Sequence, residues 1–302
     1  MITLTWNPPN GGTPVIFSRD ATDYKLLKNY SGFAGIPGEH TYANRAPMRH
    51  GRVRKYTTLG ERPILFDILI QSTDLEQQQG LVTALASAFN PLDGTGILQY
   101  EKEDGTIFYL NCIGISGNPF ISSSDKSYLH QSATIRLVAD EDPFWHSGIP
   151  SIAYFDPIPA NFFPFPNGTG TWPWVLSSKN KIRSCMNTGS VDAPVIITFI
   201  GPMVNPVLTC TKMVNGESVT ETLSLTITLS ANDTLIVNTD PDIMTVRYHQ
   251  AAGGDLNAHK YVDTGSTFWQ LGRGNNNVEL DPDTATAGAE ASMQWSDQFL
   301  GV

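Results

Sequence analysis

The chain has 302 residues, a net charge of −10 and 16% charged side chains, with Ser, Thr, Asn, Gly and Pro standing where charge is missing. The acidic balance argues against a protein that grips phosphate backbones, since that affinity comes from clustered Lys and Arg. The length fits two domains, and the thin charge suits either a chain that covers much of its surface with partners or a β-rich domain with a Thr/Asn surface.

The opening MITLTWNPPNGG lacks the basic and apolar regions of a signal peptide, and no apolar run reaches the ~20 residues of a membrane helix, so no export and no membrane insertion are expected. The first fifty residues, including the Gly-Pro-rich stretch Gly32 to Gly38, set out no clear strand pattern. The densest basic cluster, Arg45, Arg49, His50, Arg52, Arg54 and Lys55, is interleaved with Pro47 and Gly51. It reads as a solvated or subunit-facing loop ahead of a strand.

RPILFDILIQ, Arg62 to Gln71, is a β-branched and aromatic run of strand length, apolar on both faces except at Asp67, which predicts a strand covered on both sides. One helix is predicted, Ser72 to Asn90, capped by a Thr73/Glu76 box and stopped by Pro91. Its apolar face is Leu75, Val82, Leu85 and Phe89, with Leu81 beside them. A hairpin follows, Ile97 to Tyr100 and Thr106 to Ile113, turning through Glu103, Asp104 and Gly105, where Asp-Gly tolerates the positive φ of a tight turn. The strand Ser132 to Ala139 closes an α+β unit near residue 145.

Between Phe144 and Trp174 nine aromatics alternate with prolines, a composition that predicts order through docking. The segment either packs on its own two domains or lies as an arm across a neighbouring subunit. Beyond it short strands follow: Val195 to Ile200, Pro206 to Thr211, Glu221 to Leu229, Thr234 to Thr239, Thr245 to Gln250, Thr267 to Leu271, Asn277 to Leu280 and Ser292 to Phe299. Turn signals at short intervals make this a β-sandwich.

A search for chemistry finds no constellation. The six histidines are scattered, and Cys112, Cys185 and Cys210 are an odd number without Cys-x-x-Cys spacing, so buried free thiols are expected. Gly272-Arg273-Gly274 leads into asparagines and a strand instead of the helix that a phosphate loop requires, and reads as a turn. Asp240/Asp242, Asp281/Asp283 and Asp140/Glu141/Asp142 sit at turns beside proline and complete no calcium loop. Trp269, Trp172 and Trp174 are candidates for stacking on sugar rings or for core and interface packing. No catalytic, cofactor-binding or metal-ligating residue is assigned.

Several phrases stand in a distinctive order. They are the helix ending in Asn90-Pro91, Leu98-Gln99-Tyr100 with Tyr109-Leu110-Asn111-Cys112, and Asp142-Pro143-Phe144-Trp145. Gly201 with Asn205-Pro206 comes next, then Ser266-x-Phe268-Trp269-x-Leu271-x-x-Gly274-x-Asn276. In this order the chain resembles the distal tail proteins of long-tailed (siphovirus-type) phages, from about Gly51 to Leu280.

The resemblance implies a mainly β fold with one helix: an N-terminal α+β ring-forming domain at 1–145, a Pro/aromatic-rich connector at 146–190, and a galectin-like β-sandwich at 191–302. It implies a structural, non-enzymatic component of the virion's tail tip or baseplate. It further implies copies that form a homo-oligomeric, hexameric ring, which would close head to tail and join the tail-tube protein to the tail-associated hub and the receptor-binding or fibre proteins. Phage DNA transits the lumen without specific binding, and the charge suggests an acidic lumen that repels it. No cofactor is implied, and no sugar-binding set is carried over. The alternative reading is a carbohydrate-binding β-sandwich module for host-surface attachment.

Overall fold

The computed structural model describes residues 2–43, 53–115, 119–121, 129–157 and 181–302. The basic residues Arg45, Arg49, His50 and Arg52, and the connector's Phe162, Phe163, Phe165, Trp172 and Trp174, lie outside them. The chain makes two compact units, one formed by Met1–Gly148 together with Phe299–Val302, the other by Ile149–Gln298. The fold is mainly β, with one α-helix among the described residues.

The first unit carries β1 (Thr3–Asn7), β2 (Val15–Ser18), β3 (Tyr24–Ser31), β4 (Gly38–Tyr42), β5 (Arg54–Leu59), β6 (Arg62–Gln71), helix α1 (Leu75–Ala88), β7 (Gly96–Glu101), β8 (Ile107–Gly114), β9 (Phe120–Ile121), β10 (His130–Ala139) and β11 (Trp145–Ser147). The order β8-β7-β1-β2-β3-β6-β10 returns on itself, because β10 also pairs with β8 at Leu137↔Gly114 and Val138↔Ile113. The result is a closed barrel, which leaves those strands no free edge except at one seam. That seam is β2 beside β3, parallel and joined only at Ser18↔Lys25.

Alternation fills the barrel. On β6, Ile64, Phe66, Ile68 and Ile70 are buried, while Leu65, Asp67 and Leu69 are only half-buried, so the second face of this strand is less covered than its apolarity predicts. The hairpin forms as expected: Gly105 takes φ +82°, and Asp104 Oδ1 accepts from the Thr106 amide at 2.9 Å.

The helix starts one residue later than the predicted box. Asp74, not Thr73, is the N-cap: its side chain accepts from the Gln77 amide at 2.8 Å, and Gln77 Oε1 accepts from the Thr73 amide at 2.8 Å. Asp-x-x-Gln caps the helix much as Thr-x-x-Glu would, except that Gln77 reaches back to the amide one residue before the cap, and the shift moves the first turn. Leu75 is therefore exposed, and Gln78 takes the buried place, with its Nε2 donating to Gln131 Oε1 at 3.3 Å. At the other end Phe89 stacks on Trp6 at 4.9 Å, and Trp6 Nε1 donates to the Ala88 carbonyl at 2.6 Å. One tryptophan thus holds the helix C-terminus to the first strand.

The second unit is a β-sandwich. Its strands are β12 (Ser151–Phe155), β13 (Ile182–Asn187), β14 (Val195–Ile200), β15 (Met203–Val204), β16 (Val207–Val214), β17 (Glu217–Ser224), β18 (Thr228–Leu229), β19 (Thr234–Asn238), β20 (Thr245–His249), β21 (Asp255–Asn257), β22 (Gly274–Leu280), β23 (Thr284–Ala285) and β24 (Glu290–Trp295). The sheet β12-β24-β14-β19-β20-β21 and the sheet β13-β22-β16-β17 share one core with the small sheet β18-β15-β23. β12 and β13 lie within the stretch read as connector, and β12 pairs with β24 of the same chain from Ser151↔Trp295 to Phe155↔Ala291.

Two predicted strands are corrected. ETLSLTITL breaks after Ser224, where Leu225 donates to Pro206 O and Thr226 to Tyr261 O, before the run resumes as β18. The alternation survives the break, since Leu223, Leu225, Ile227 and Leu229 are all buried, so one apolar stripe serves two sheets. Thr267 to Leu271 is not a strand beyond an isolated bridge of Leu271 with Ala193. Here burial of Trp269 and Leu271, not ladder pairing, explains the apolar spacing. No helix among the described residues is long and apolar enough to cross a membrane.

Each unit has a probe of its own. Trp6→Ala removes a buried indole and its bond to the helix end, and we expect a loss of about 3–5 kcal/mol, lowering the melting temperature of the first unit by roughly 10 °C; an unchanged thermal scan would refute that role. In the second unit, buried Asp233 accepts from Tyr248 Oη at 2.5 Å and from the amides of Ser230 and Ala251, each at 2.9 Å. Those bonds, the Tyr248 hydroxyl foremost, hold its carboxyl below the ordinary value of 3.8. A depressed folded pKa means that the stabilisation is full above the unfolded value and lost as pH falls through the folded one. Tyr248→Phe should therefore flatten the loss of stability on acidification below about pH 4, and melting curves that keep the parent's pH dependence would count against it.

Candidate assembly surfaces

Among the described residues β4 and β5 pair only with each other, from Gly38↔Leu59 to Tyr42↔Arg54, and join no other sheet. All but one of their side chains are exposed, including Tyr42, Tyr56 at 57% and Leu59. A lone two-stranded hairpin is marginal in water. This one presents aromatic and apolar groups beside Arg54 and Lys55, so it has the make-up of an element covered by a partner. The remainder of the predicted basic cluster falls outside the described residues, between these two strands.

A second surface lies where β2 and β3 part. A groove of about 670 Å³ opens there, lined by Pro14, Val15 and Ile16 on one side, Thr22 to Tyr24 on another, and Ala84, Ser87 and Ala88 of α1. With β2 joined to β3 at one position only, this is the place where the barrel's ladder is least complete.

On the second unit, the outer face of the larger sheet carries Ile152, Tyr154 and Ile196, with Ile152 and Ile196 in register across Gln294. Tyr154, 65% exposed, is the most open aromatic of this face. The β16–β17 hairpin adds exposed Met213, Val214 and Val219 around the Asn215-Gly216 turn. Among the described residues these exposed faces carry no concentrated set of reactive groups.

The residues considered for chemistry are used structurally. Trp269 is 1% exposed and cannot offer a ring face to a sugar; Trp172 and Trp174 lie outside the described residues. The glycine run reads as a tie: Asn276, buried, donates through Nδ2 to the carbonyls of Gly272, Gly274 and Cys185. Asn187 does the same for Val191 and Leu271. The phrase from Ser266 to Asn276 is thus a knot of the sandwich core.

The acidic groups serve turns. Asp240 Oδ1 accepts from the Asp242 amide, Asp283 from Asn205 Nδ2 and Asp142 from the Phe144 amide, while Asp281 meets Lys181 Nζ at 2.8 Å and Asp142 meets His146 at 2.6 Å. The cysteines are free and buried, and burial pushes the thiols of Cys185 and Cys210 up to about 11 and about 12, and that of Cys112 higher still. Such thiols are poor nucleophiles. Among the described residues no group of three His, Cys, Asp or Glu could hold a metal ion.

No family model matches the sequence, and no curated protein sequence matches it. Among solved structures, the SPP1 Dit protein, described as a paradigm of the hub adsorption apparatus in phages that infect Gram-positive bacteria, matches with a TM-score of 0.60 at 12% identity, over 99% of this chain and 100% of that one. Two structures of the phage P2 baseplate in its activated conformation, with Ca and with Sr, match with TM-scores of 0.48 at 10% identity. They cover 100% of this chain and 99% and 100% of theirs. What the chain shares with the SPP1 protein is its fold from end to end.

Proposed function

We propose that this chain is a distal tail protein of a phage virion, a structural subunit that forms a ring, hexameric by the resemblance, at the tip of the tail. The observation that carries this reading is the fold shared with the SPP1 hub protein over 99% of the chain. In this role the output is geometry: the ring joins the tail tube above to the tail-associated hub and receptor-binding proteins below, and DNA passes through its lumen. The N-terminal unit supplies the ring and the sandwich faces outward. No step of chemistry is required, which agrees with acidic and thiol groups spent on turns and core.

The surfaces fit the proposal. A ring that closes by rotation needs two different patches on each subunit, one fitted to the other. The β4–β5 hairpin is our choice for one of them, since all but one of its side chains are exposed among the described residues. With −10 per chain, copies arranged around an axis would surround a lumen that repels a nucleic acid instead of holding it.

Mass photometry of the purified chain should find a species of about 200 kDa, six times the 33.0 kDa subunit. Negative-stain images of that species should show closed rings. A strict monomer at high concentration, still monomeric with tail-tube protein added, would overturn the reading. The hairpin has its own check. A chain in which residues 38–59 are replaced by a short Gly-Ser turn should fold, with both melting transitions kept, and fail to assemble; rings of normal yield would remove the hairpin from the interface.

A further inference from the structure

The second unit is followed by a short return segment, Phe299–Val302, that belongs to the first unit. Phe299 sets its ring edge-on against Phe108 at 5.2 Å, and the Val302 amide donates to the Phe33 carbonyl at 3.1 Å. Gly301 passes so close to the 33–34 backbone that a Cβ on it would lie 2.4 Å from the Ala34 carbonyl oxygen. The segment is therefore seated on the loop that leaves β3.

That loop is one root of the projecting hairpin, for the chain runs from Gly32, Phe33 and Ala34 into β4. The other root is Arg62, reached directly after β5 and Gly60. Arg62 is 0% exposed and, among the described residues, has no carboxylate partner. Its guanidinium donates to carbonyls instead: Nη1 to Gly32 at 2.7 Å and Phe33 at 3.4 Å, Nε to Pro143 at 2.6 Å, and Nη2 to Leu300 at 2.7 Å. The two roots and the return segment thus meet on one buried cation. Without Leu300, Nη2 of that cation loses the one acceptor it has among the described residues, and a buried unpaired donor on a charged group is costly.

We propose that residues 299–302 act as a latch that fixes the root of the β4–β5 hairpin, so that the assembly surface is presented only by a chain already made through its second unit. The latch residues are synthesised after all 150 residues of the second unit, Ile149–Gln298. Chains made only part of the way through the second unit therefore carry an unfixed hairpin, and copies are kept from joining before that unit has been made. This inference rests on the ring reading for its consequence, but its structural arm can be tested without it.

The test compares the full chain with Gly301→Val, whose added carbons cannot share space with Ala34, and with Phe299→Ala, which loosens the segment without a clash. Hydrogen exchange is followed in peptides spanning 33–43 and 53–62, with second-unit peptides as the internal control, and ring yield is counted by mass photometry. The latch predicts exchange at the hairpin root about tenfold faster or more, an unchanged second unit, and a fall in ring yield. Root protection equal to the parent's in folded Gly301→Val overturns it, as do rings of normal yield built from a variant whose root exchanges fast. If Gly301→Val loses protection throughout the first unit, Phe299→Ala decides: loss confined to the root supports the latch, and uniform loss overturns it. A parent that forms no rings defeats the ring reading, while the exchange comparison still judges the latch.

Discussion

A guanidinium shut away from water must have its charge and its five N–H donors answered by the protein around it. In this chain Arg62 is answered by carbonyl oxygens of residues far apart in sequence, at Gly32, Phe33, Pro143 and Leu300. Burial pulls its pKa down to about 10, so it stays charged at neutral pH. Carbonyl dipoles can satisfy it only if all the segments arrive together. The aromatic wall formed by Trp145, stacked on Phe33 at 5.7 Å and 5.9 Å below the guanidinium, then excludes water from the meeting point. Lysine, with a single compact ammonium, could not span the same acceptors.

The second unit is organised on a different principle. Its core is tied by amide side chains, with Asn276 donating to the Gly272 and Gly274 carbonyls and Asn187 to those of Val191 and Leu271. Lys212 is buried near the same place, paired to Glu221 at 2.6 Å and donating to the Gln270 carbonyl at 3.0 Å. Irregular stretches such as 267–273 can then lie in the core because their polar backbone is paid for by side chains.

Legibility in the sequence followed local pattern. β6 and β14 have the predicted ends, because each is an unbroken β-branched run closed by a turn or a helix start. The helix is readable from its stop at Pro91, while its start at Asp74 is missed because Thr73-x-x-Glu76, one residue earlier, also has capping-box spacing. The strands before residue 60 were not legible: Leu4, Trp6 and Phe17 are buried singly between polar and glycine-rich pieces, too few at a time to show a period. The hairpin β4–β5 has no buried face, and its only local signal is Tyr and Thr flanking the basic cluster on both sides. Arg62 reads as the polar start of a strand, and nothing local distinguishes it from an exposed residue, since every group that holds it is remote. Conversely the late phrase around Trp269 was recognisable as a pattern, yet its purpose was visible only once Asn276 was seen bound to Gly272 and Gly274.

The first unit gives up the chain after β11 and takes it back at Phe299, and the strand that holds Phe299 neighbours β11 in the barrel's sheet. The polypeptide therefore departs for the sandwich and comes home through adjoining doorways. Any folded cassette whose two ends lie about one strand spacing apart, roughly 4.8 Å, could occupy that position without asking the barrel to reshape. The demands on the two halves are thereby separated: the barrel and its buried arginine are answerable to closure, whereas the inserted module is free to diverge in sequence, size or even architecture, provided that it hands the chain back where it received it.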